Sequence, residues 1–212
     1  MPAASNRSPA HKDHANIEKI KNIEVKLASK SPRRHQLLSN IIKDFQIVSK
    51  EIDESYPTNL KTSEIALYLA NLKAKSYKEE AKENELYITA DTIVVFKDKV
   101  LGKPIDSKDA FRMLKELSGK THRVYTGVSI LFNGEITSFV DVTKVTFYNL
   151  SEDEIKFYID HHHPMDKAGS YGIQEWMGYV GVRKIEGDFF NVMGLPLHKL
   201  YREIDKIISK KK

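Results

Sequence analysis

The sequence predicts an α/β protein built on a mixed β-sheet, and three observations carry this prediction. Apolar runs rich in β-branched residues alternate along the chain with segments whose apolar residues recur at helical spacing. Several strands are separated by a helix-length segment, as a parallel pair requires. Others are joined by short turns such as Asn133-Gly134, a strong signal for an antiparallel hairpin. Parallel and antiparallel pairs in one chain indicate a mixed sheet covered by helices.

The first half of the chain is predicted to alternate strands and helices. Ser31 occupies the N-cap position of the first helix and Pro32 its first turn, where the missing N–H of proline costs nothing. Either Thr62 or Ser63 caps a long second helix, which ends in a charged stretch near residue 78. Its inner stripe has helical spacing and consists of Ile65, Leu69 and Leu72, with Ala66 and Ala70 beside it. The elements predicted here are strands at residues 25–29, 45–48 and 86–96 and helices at residues 32–42 and from 62 or 63 onwards.

The second half adds hairpins to this pattern. Ser107 caps a helix, and Ser151 and Glu154 have the spacing of a capping box at the start of another. Two runs on either side of Glu186-Gly187 predict a second hairpin. An apolar stripe in the later run predicts core residues: Phe189, Phe190 and Val192. The elements predicted here are strands at residues 123–132, 135–147, 179–185 and 188–192 and helices at residues 107–117, 151–160 and 197–208.

Composition narrows the class of protein. The 212 residues are 41% hydrophobic, enough for one domain with a sizeable core. Cysteine is absent, which excludes disulfides, thiolate metal sites and cysteine nucleophiles. No apolar run approaches the roughly 20 residues that span a bilayer, and residues 1–16 lack the apolar centre of a secretory signal. We therefore predict a disordered extension over residues 1–22, a single domain over residues 23–212, and a cytoplasmic protein without a membrane partner.

The net charge of +5 is compatible with nucleic-acid binding. However, the sequence has no zinc-finger, RRM-like or interleaved basic and aromatic pattern that would make such binding specific. Attraction of free nucleotides explains the charge equally well. We predict no specific nucleic-acid partner.

The start of the first helix carries unusual charges. Helix starts usually carry acidic residues because the macrodipole is positive there, yet Arg33 and Arg34 follow Pro32 in the first turn. Two arginines, the hydroxyls of Ser29 and Ser31 and free backbone N–H groups are together suited to a bound anion, and a polyphosphate is the obvious candidate. The alternative is a solvated and mildly unfavourable helix start.

Five blocks of the chain stand out in order. They are residues 27–34 (LASKSPRR), 89–95 with 101–104 (TADTIVV, LGKP), 113–127 (MLKELSGKTHRVYTG), 166–174 (DKAGSYGIQ) and 191–197 (NVMGLPL). Together they resemble the Maf family of nucleotide pyrophosphatases, whose archetype is named for septum formation. The resemblance implies an elongated, strongly bent mixed sheet with flanking helices and two lobes around a cleft, related to the inosine-triphosphate pyrophosphatase fold.

Asp91 is the strongest candidate for a catalytic residue. An ionised carboxylate within the apolar run of residues 86–96 is costly unless a partner compensates it. A structural alternative is that Asp91 lies at a strand end and caps a turn through Thr92. The resemblance to the Maf family implies instead that Asp91 is the general base that activates water.

Other charged residues enter the site through the same resemblance. Gly102 and Pro104 flank Lys103 in a loop that could aim its ammonium at a phosphate or at Asp91, although a solvated lysine is the alternative. Glu54 and Lys73 match family positions, which implies that Glu54 binds metal or orients water and that Lys73 binds phosphate. Glu54 and Asp91 together are expected to hold Mg²⁺ or Mn²⁺. No histidine pair has zinc-ligand spacing, so zinc is not predicted.

The expected activity is metal-dependent hydrolysis of nucleoside triphosphates to the monophosphate and pyrophosphate. The block ending at Gln174 is similar to the Maf subgroup that acts on dTTP and UTP, and modified pyrimidine nucleotides are among the expected substrates. The Gln174 amide could pair with the O4 and N3–H edge that uracil and thymine share, and Thr92 lies beside the implied base Asp91. One departure from many relatives is Glu175-Trp176-Met177, where a smaller, glycine-rich sequence is usual.

Two other functions remain open at this point. The name of the family's archetype suggests a nucleotide-binding regulator of cell division, with incidental hydrolysis. The basic charge allows a nucleic-acid-binding module. The carboxylates Asp91 and Glu54 favour the enzyme, because a passive polyphosphate sensor has no need of them. The expected partner is the nucleoside triphosphate itself, and a homodimer is compatible with the sequence.

Overall fold

A mixed β-sheet forms the centre of the molecule in the computed structural model, which describes residue 20 and residues 22–210. The sheet has seven strands in the order β2-β1-β3-β5-β6-β7, with β4 paired to β3. β1 pairs in parallel with β2 and β3, whereas the other pairs are antiparallel. The strands are β1 (Glu24–Ala28), β2 (Gln46–Val48), β3 (Glu85–Phe96), β4 (Lys99–Leu101), β5 (Thr121–Phe132), β6 (Glu135–Phe147) and β7 (Val182–Glu186). The predicted mixed sheet is confirmed.

Seven α-helices flank this sheet in the described part of the chain. They are α1 (Pro32–Leu38), α2 (Thr62–Lys75), α3 (Ser107–Leu117), α4 (Glu152–His162), α5 (Trp176–Gly181), α6 (Phe189–Met193) and α7 (Leu197–Ser209). Two short 3₁₀ turns lie between α4 and α5. Among the described residues, no helix is both long and apolar enough to cross a membrane. The extension predicted over residues 1–22 lies almost entirely outside the described residues.

Local signals located several elements correctly. The turn between β5 and β6 has positive φ at both Asn133 and Gly134, the backbone that a two-residue hairpin turn requires. At the start of α4, Ser151 accepts a hydrogen bond from the backbone of Glu154, whose side chain accepts one in return. This reciprocal pair is the predicted capping box. The predicted hairpin and helix start are both confirmed.

Some helix boundaries differ from the prediction. α1 ends at Leu38 rather than near residue 42, because the side chains of Ser39 and Asn40 donate hydrogen bonds to the Gln36 carbonyl and so compete with the helix. The N-cap of α2 is Lys61 rather than Thr62 or Ser63. The cap of α3 is Asp106, not Ser107, and its carboxylate accepts from the backbone of Asp109. Within the predicted stripe of α2, Leu72 is only half-buried. Ala74, which was not part of that stripe, is fully buried.

The second predicted hairpin is wrong. Residues 176–181 form α5, β7 pairs with β6 instead, and residues 189–193 form α6. The Thr143 hydroxyl donates to the carbonyl of Asp188 and accepts from its N–H, while the Asp188 carboxylate accepts from the backbone of Phe190 and caps α6. These bonds fix Asp188 on β6 and start a helix at the next residue, where a strand was predicted. Phe189 and Phe190 are consequently 38% and 43% exposed. The prediction that these two residues belong to the core is wrong.

The two largest of the four buried apolar clusters among the described residues pack against different halves of β3 and mark two lobes of the molecule. One cluster joins β1, α1 and α7 to the first half of β3, and the other joins α3, α4 and the following segment to its second half. Asp91 and Thr92 lie at the middle of β3, between the buried runs that belong to each cluster. The long central strands therefore bring polar side chains to the junction of the lobes.

His122 is a buried histidine in the second lobe. It is 1% exposed, packs edge-on against the rings of Phe147 and Tyr171, and shares a 2.7 Å hydrogen bond with the Tyr171 hydroxyl. Burial disfavours the charged imidazolium and lowers the pKa of His122 to about 3. Its ring is therefore neutral in the folded protein at neutral pH.

This shift predicts a specific loss of stability in mild acid. Below pH 6.5 the unfolded chain protonates His122 while the folded chain does not, so the free energy of unfolding falls by up to about 1.4 kcal/mol per pH unit. The pKa values of Glu85 and Asp166 are lowered to about 2, so these carboxyls add to the loss mainly below about pH 5. Urea unfolding at pH 6.5, 6.0, 5.5 and 5.0 isolates the histidine. His122→Gln should weaken the dependence of the free energy of unfolding on pH, whereas His161→Gln, at an exposed position, should not. An equal pH dependence in the wild type and both variants would show that His122 does not cause the loss.

Candidate active site

A cavity of about 940 Å³ lies at the junction of the two lobes. Its volume is in the range of small-molecule binding sites. All ten residues predicted for the site line it: Ser29, Ser31, Arg33, Arg34, Glu54, Lys73, Asp91, Thr92, Lys103 and Gln174. They come from both lobes and from segments far apart in sequence. The cavity is therefore assembled only by the tertiary fold.

The Lys73 ammonium lies between two carboxylates at the centre of this cavity. Lys73 Nζ is 2.6 Å from Asp91 Oδ1 and 3.1 Å from Glu54 Oε1. The side chains of Asp91 and Lys73 are 13% and 17% exposed, whereas Glu54 is more than half exposed. The half-buried carboxylate of Asp91, within a mostly apolar strand, thus has a charged partner. The partner is Lys73, not Lys103.

A close contact between a helix and the sheet places Lys73 at this point. Asp91 pairs with Gly127 across β3 and β5. A Cβ at Gly127 would lie 2.3 Å from the Ala66 carbonyl oxygen, so only glycine lets the backbone of α2 pack directly on β5. Two turns further along α2, Lys73 then faces Asp91. Gly127 belongs to the third sequence block, and its role in the site was not predicted.

Arg34 binds protein atoms in this structure. Its Nε donates to the Gly194 carbonyl at 2.8 Å, Nη1 to the Ala90 carbonyl at 2.9 Å, and Nη2 to the Thr92 hydroxyl at 3.0 Å. Nη1 also lies 3.5 Å from Ser29 Oγ. Most of its donors are thus used in fastening β3 to the last sequence block. Arg34 also lines the cavity, and its predicted role in phosphate binding stays a prediction.

The serines of the first block lie at the entrance to α1. Ser31 is the N-cap residue as predicted, but its hydroxyl makes no capping hydrogen bond. Its backbone N–H donates to Ser29 Oγ at 3.2 Å instead. The carbonyl of Ser29 lies 2.6 Å from His35 Nε2, which holds the loop against the helix. The Ser31 hydroxyl is therefore not used in a cap and lies at the cavity surface.

A chain of charged side chains connects Arg33 to the opposite lobe. Arg33 Nη1 donates to Asp166 Oδ2 at 2.6 Å, and Lys167 Nζ lies 2.8 Å from Asp166 Oδ1 and 3.1 Å from Glu175 Oε1. Burial raises the pKa of Asp166, but hydrogen bonds from Lys167 and Arg33 outweigh it and hold the pKa at about 2. Asp166 and Lys167 line the cavity, although neither was predicted as a site residue. The only feature of the sequence that points to these two residues is their position at the start of the fourth block.

Lys103 and Gln174 also line the cavity, near the segment that contains Asp166 and Lys167. Lys103 is exposed, and within the described residues it forms no ion pair. The neighbouring Gly102 carbonyl accepts a hydrogen bond from Gly169, which ties the Lys103 loop to the fourth block. Gln174 Oε1 is buried and has no hydrogen-bond partner among the described residues. An unsatisfied buried acceptor at a cavity wall is suited to a donor on a ligand.

The fold and the cavity together define a protein with a charged ligand site between two lobes of a mixed sheet. A family model described as Maf-like protein matches residues 24–207, and this chain belongs to that family.

Curated relatives cover nearly the whole chain. A dTTP/UTP pyrophosphatase of Flavobacterium johnsoniae is 48% identical over 90% of this chain and 98% of the relative. One from Phocaeicola vulgatus is 50% identical over 90% of this chain and 100% of the relative. The structure is also similar to that of the Staphylococcus aureus Ham1 protein, with a TM-score of 0.51, 12% identity, and coverage of 87% of this chain and 99% of that chain. The last comparison shows a shared fold.

Proposed function

We propose that this chain is a metal-dependent nucleoside triphosphate pyrophosphatase that hydrolyses dTTP and UTP to the monophosphate and pyrophosphate. The observation that carries the proposal is the meeting of Asp91 and Glu54 at the Lys73 ammonium inside the cavity. Arg33 and Lys103 add positive charge to the same cavity. The relatives named dTTP/UTP pyrophosphatase support the substrate class.

The reaction needs an oriented water and a proton acceptor. Water attacks the α-phosphorus, the bond from that phosphorus to the oxygen bridging the α- and β-phosphates breaks, and pyrophosphate leaves with the bridging oxygen. Asp91 accepts the proton of the attacking water as the general base. Lys73, at 2.6 Å, fixes the orientation of the Asp91 carboxylate. Glu54 contacts the same ammonium and orients the water from the exposed side of the site.

Phosphate binding falls to the cationic and hydroxyl groups around this centre. The transition state carries extra negative charge on its phosphate oxygens, so fixed donors aimed at them contribute most of the catalysis. Arg33 and Lys103 bind the β- and γ-phosphates from opposite lobes, and Ser29 and Ser31 donate hydroxyls at the first block. Thr92, held by Arg34, lies beside Asp91 and shapes the position of the α-phosphate.

Glu54 and Asp91 are also the residues that would hold the divalent cation. Both are hard oxygen donors, and they already converge on one positive charge in this structure, so the pair fits Mg²⁺ or Mn²⁺. When bound, such an ion supplies neutralisation of phosphate charge and activation of water. The cytoplasmic location and the homodimer stay predictions.

A nucleotide panel tests the proposed reaction directly. The protein is incubated with dTTP, UTP, CTP, dATP, GTP and 7-methyl-GTP in Mg²⁺, and the products are separated to distinguish pyrophosphate from inorganic phosphate. We expect pyrophosphate and the monophosphate from dTTP and UTP, loss of the reaction in EDTA, and recovery with Mg²⁺ or Mn²⁺. Release of inorganic phosphate alone, or full activity in EDTA, would contradict the proposed chemistry.

Arg33→Ala is expected to weaken binding of the triphosphate much more than binding of the bare nucleoside. The variant removes a guanidinium that lies 2.6 Å from Asp166 and lines the cavity, and one charged contact contributes about 1.5–3 kcal/mol, or roughly ten- to 150-fold in Kd. Binding is measured by calorimetry in the Asp91→Asn background, because this substitution prevents turnover of the triphosphate. Arg112→Ala, an exposed arginine on α3, serves as the matched control. Equal weakening of both ligands would indicate a structural role for Arg33.

Gln174→Ala is expected to reduce base discrimination more than the maximal rate. The free Oε1 can accept from N3–H of uracil or thymine, and the amide nitrogen can donate to O4. Loss of both bonds should lower the ratio of kcat/KM for UTP over CTP by about tenfold or more. In the wild type, cytosine leaves the Gln174 amide unpaired and is disfavoured, and this penalty disappears when the amide is removed. Gln36→Ala, on the exposed side of α1, is the control. A preference of the wild-type protein for 7-methyl-GTP would contradict the subgroup assignment.

A further inference from the structure

We propose that Asp141, Asp188 and His198 form a second cation site, outside the cavity, that binds a divalent transition-metal ion such as Zn²⁺. Each residue offers one ligand atom, and these atoms all lie within 4.8 Å of one another. None of the three lines the cavity. The three residues come from β6, from the turn before α6 and from the first turn of α7, so they meet only in the folded chain.

Asp141 provides the main evidence for a cationic ligand. This residue is only 8% exposed, and its Oδ2 is buried without a hydrogen-bond partner among the described residues. Its other oxygen accepts hydrogen bonds from the Val142 backbone and from the Lys199 ammonium. A buried carboxylate oxygen that faces neither a donor nor a cation is unfavourable. An ion beside Oδ2 would satisfy it.

Asp188 and His198 supply ligands of the right kind at the right spacing. The Asp188 carboxylate is 12% exposed, one of its oxygens caps α6, and the other lies 3.2 Å from His198 Nδ1. Two ligands on one zinc ion lie about 3.4 Å apart, given metal–ligand distances near 2.1 Å. Two carboxylates with one imidazole suit Zn²⁺, Mn²⁺ or Co²⁺, whereas Mg²⁺ and Ca²⁺ prefer oxygen ligands alone.

Lys199 occupies one side of the cluster and competes with the ion. Its ammonium pairs with Asp141 Oδ1, but the side chain is 41% exposed and can turn towards solvent. A divalent ion places two positive charges against two carboxylates where the lysine places one. Binding would fasten the segment from Asp188 to the start of α7 onto β6. This segment includes Gly194, whose carbonyl accepts from Arg34 at the cavity wall.

The test uses the full chain with Glu54→Gln and Asp91→Asn, so that the cavity carboxylates cannot hold the ion. After removal of metals with EDTA and dialysis, ZnCl₂ is titrated by calorimetry, and the melting temperature is measured with ZnCl₂ and with MgCl₂. We expect one tightly bound zinc per chain and a rise in melting temperature of several degrees with zinc but not with magnesium. Absence of stoichiometric binding would overturn the proposal.

Variants of the cluster locate the ion. His198→Gln should weaken zinc binding at least tenfold, and Lys199→Gln should strengthen it by removing the competing ammonium. Asp188→Asn should also weaken binding, but it alters the cap of α6, so the exposed His198 provides the decisive variant. His161→Gln, at the end of α4, is the matched control. Unchanged affinity in His198→Gln, or an equal loss in His161→Gln, would place the zinc elsewhere and overturn the assignment.

Discussion

Asp91→Asn should lower kcat for dTTP by about two to four orders of magnitude, the usual contribution of a general base. The amide keeps the size of the carboxylate but cannot accept the proton of the attacking water. Asp91 lies in the middle of β3 with its side chain 13% exposed, and its backbone is held by the ladder to β5. The fold should therefore be unaffected. Steady-state kinetics on pyrophosphate release measures the effect.

The binding measurement separates this role from a structural one. Lys73 keeps a carboxylate partner in the variant, because Glu54 lies 3.1 Å from its ammonium. Nucleotide affinity, measured by calorimetry in EDTA so that the loss of a metal ligand does not enter, should therefore change little, whereas kcat falls strongly. Asp44→Asn, an exposed aspartate that does not line the cavity, should retain both properties. A variant of Asp91 with near-wild-type kcat would remove it from the mechanism.

Gly127→Ala should strongly destabilise the fold. The new Cβ would lie 2.3–2.5 Å from the backbone atoms of Ala66 and Leu67, so α2 must move away from the sheet. Overpacking of this kind costs about 3 kcal/mol, which lowers the melting temperature by roughly 6–12 °C in a chain of this size. The same displacement carries Lys73 away from Asp91, and activity should fall with stability.

Two further variants test the cause of that loss. Gly102→Ala adds a Cβ with nothing within 4 Å and should leave the melting temperature within about one or two degrees of wild type. Adding Ala66→Gly to Gly127→Ala should not restore stability, because the contact is with backbone atoms that every residue has. Thermal denaturation followed by circular dichroism measures both. A stable Gly127→Ala protein would show that α2 can shift without cost.

Local chemistry made much of the fold predictable. Asn133-Gly134 and the capping box at Ser151 each involve neighbours within a few residues, and both are present. The strand predicted at residues 188–192 is a helix because Asp188 binds Thr143, which lies 45 residues away. No local pattern contains that bond. The apolar character of Phe189 was visible in the sequence, but its exposure depends on which face α6 turns to the sheet.

The candidate site divides in the same way. The ten residues predicted for the site all line one cavity. Eight of them belong to the sequence blocks, and Glu54 and Lys73 lie outside the blocks. Their contact partners were not predicted. Lys73 rather than Lys103 pairs with Asp91, and Arg34 holds Gly194, 160 residues away. Asp166 completes the Arg33 contact although its own block gave no role to it.

The sequence by itself determined the mixed α/β class, the family, and the residue types available for phosphate, water and metal. These follow from periodicity, capping and blocks of adjacent residues, which are local properties of the chain. Only the tertiary structure decided which charges are neighbours: Lys73 with Asp91 through the close packing at Gly127, and Asp141 with Asp188 and His198 beyond the cavity. The reason is physical, because Coulomb and hydrogen-bond energies depend on distances in space and on burial, and neither quantity is encoded at a single position.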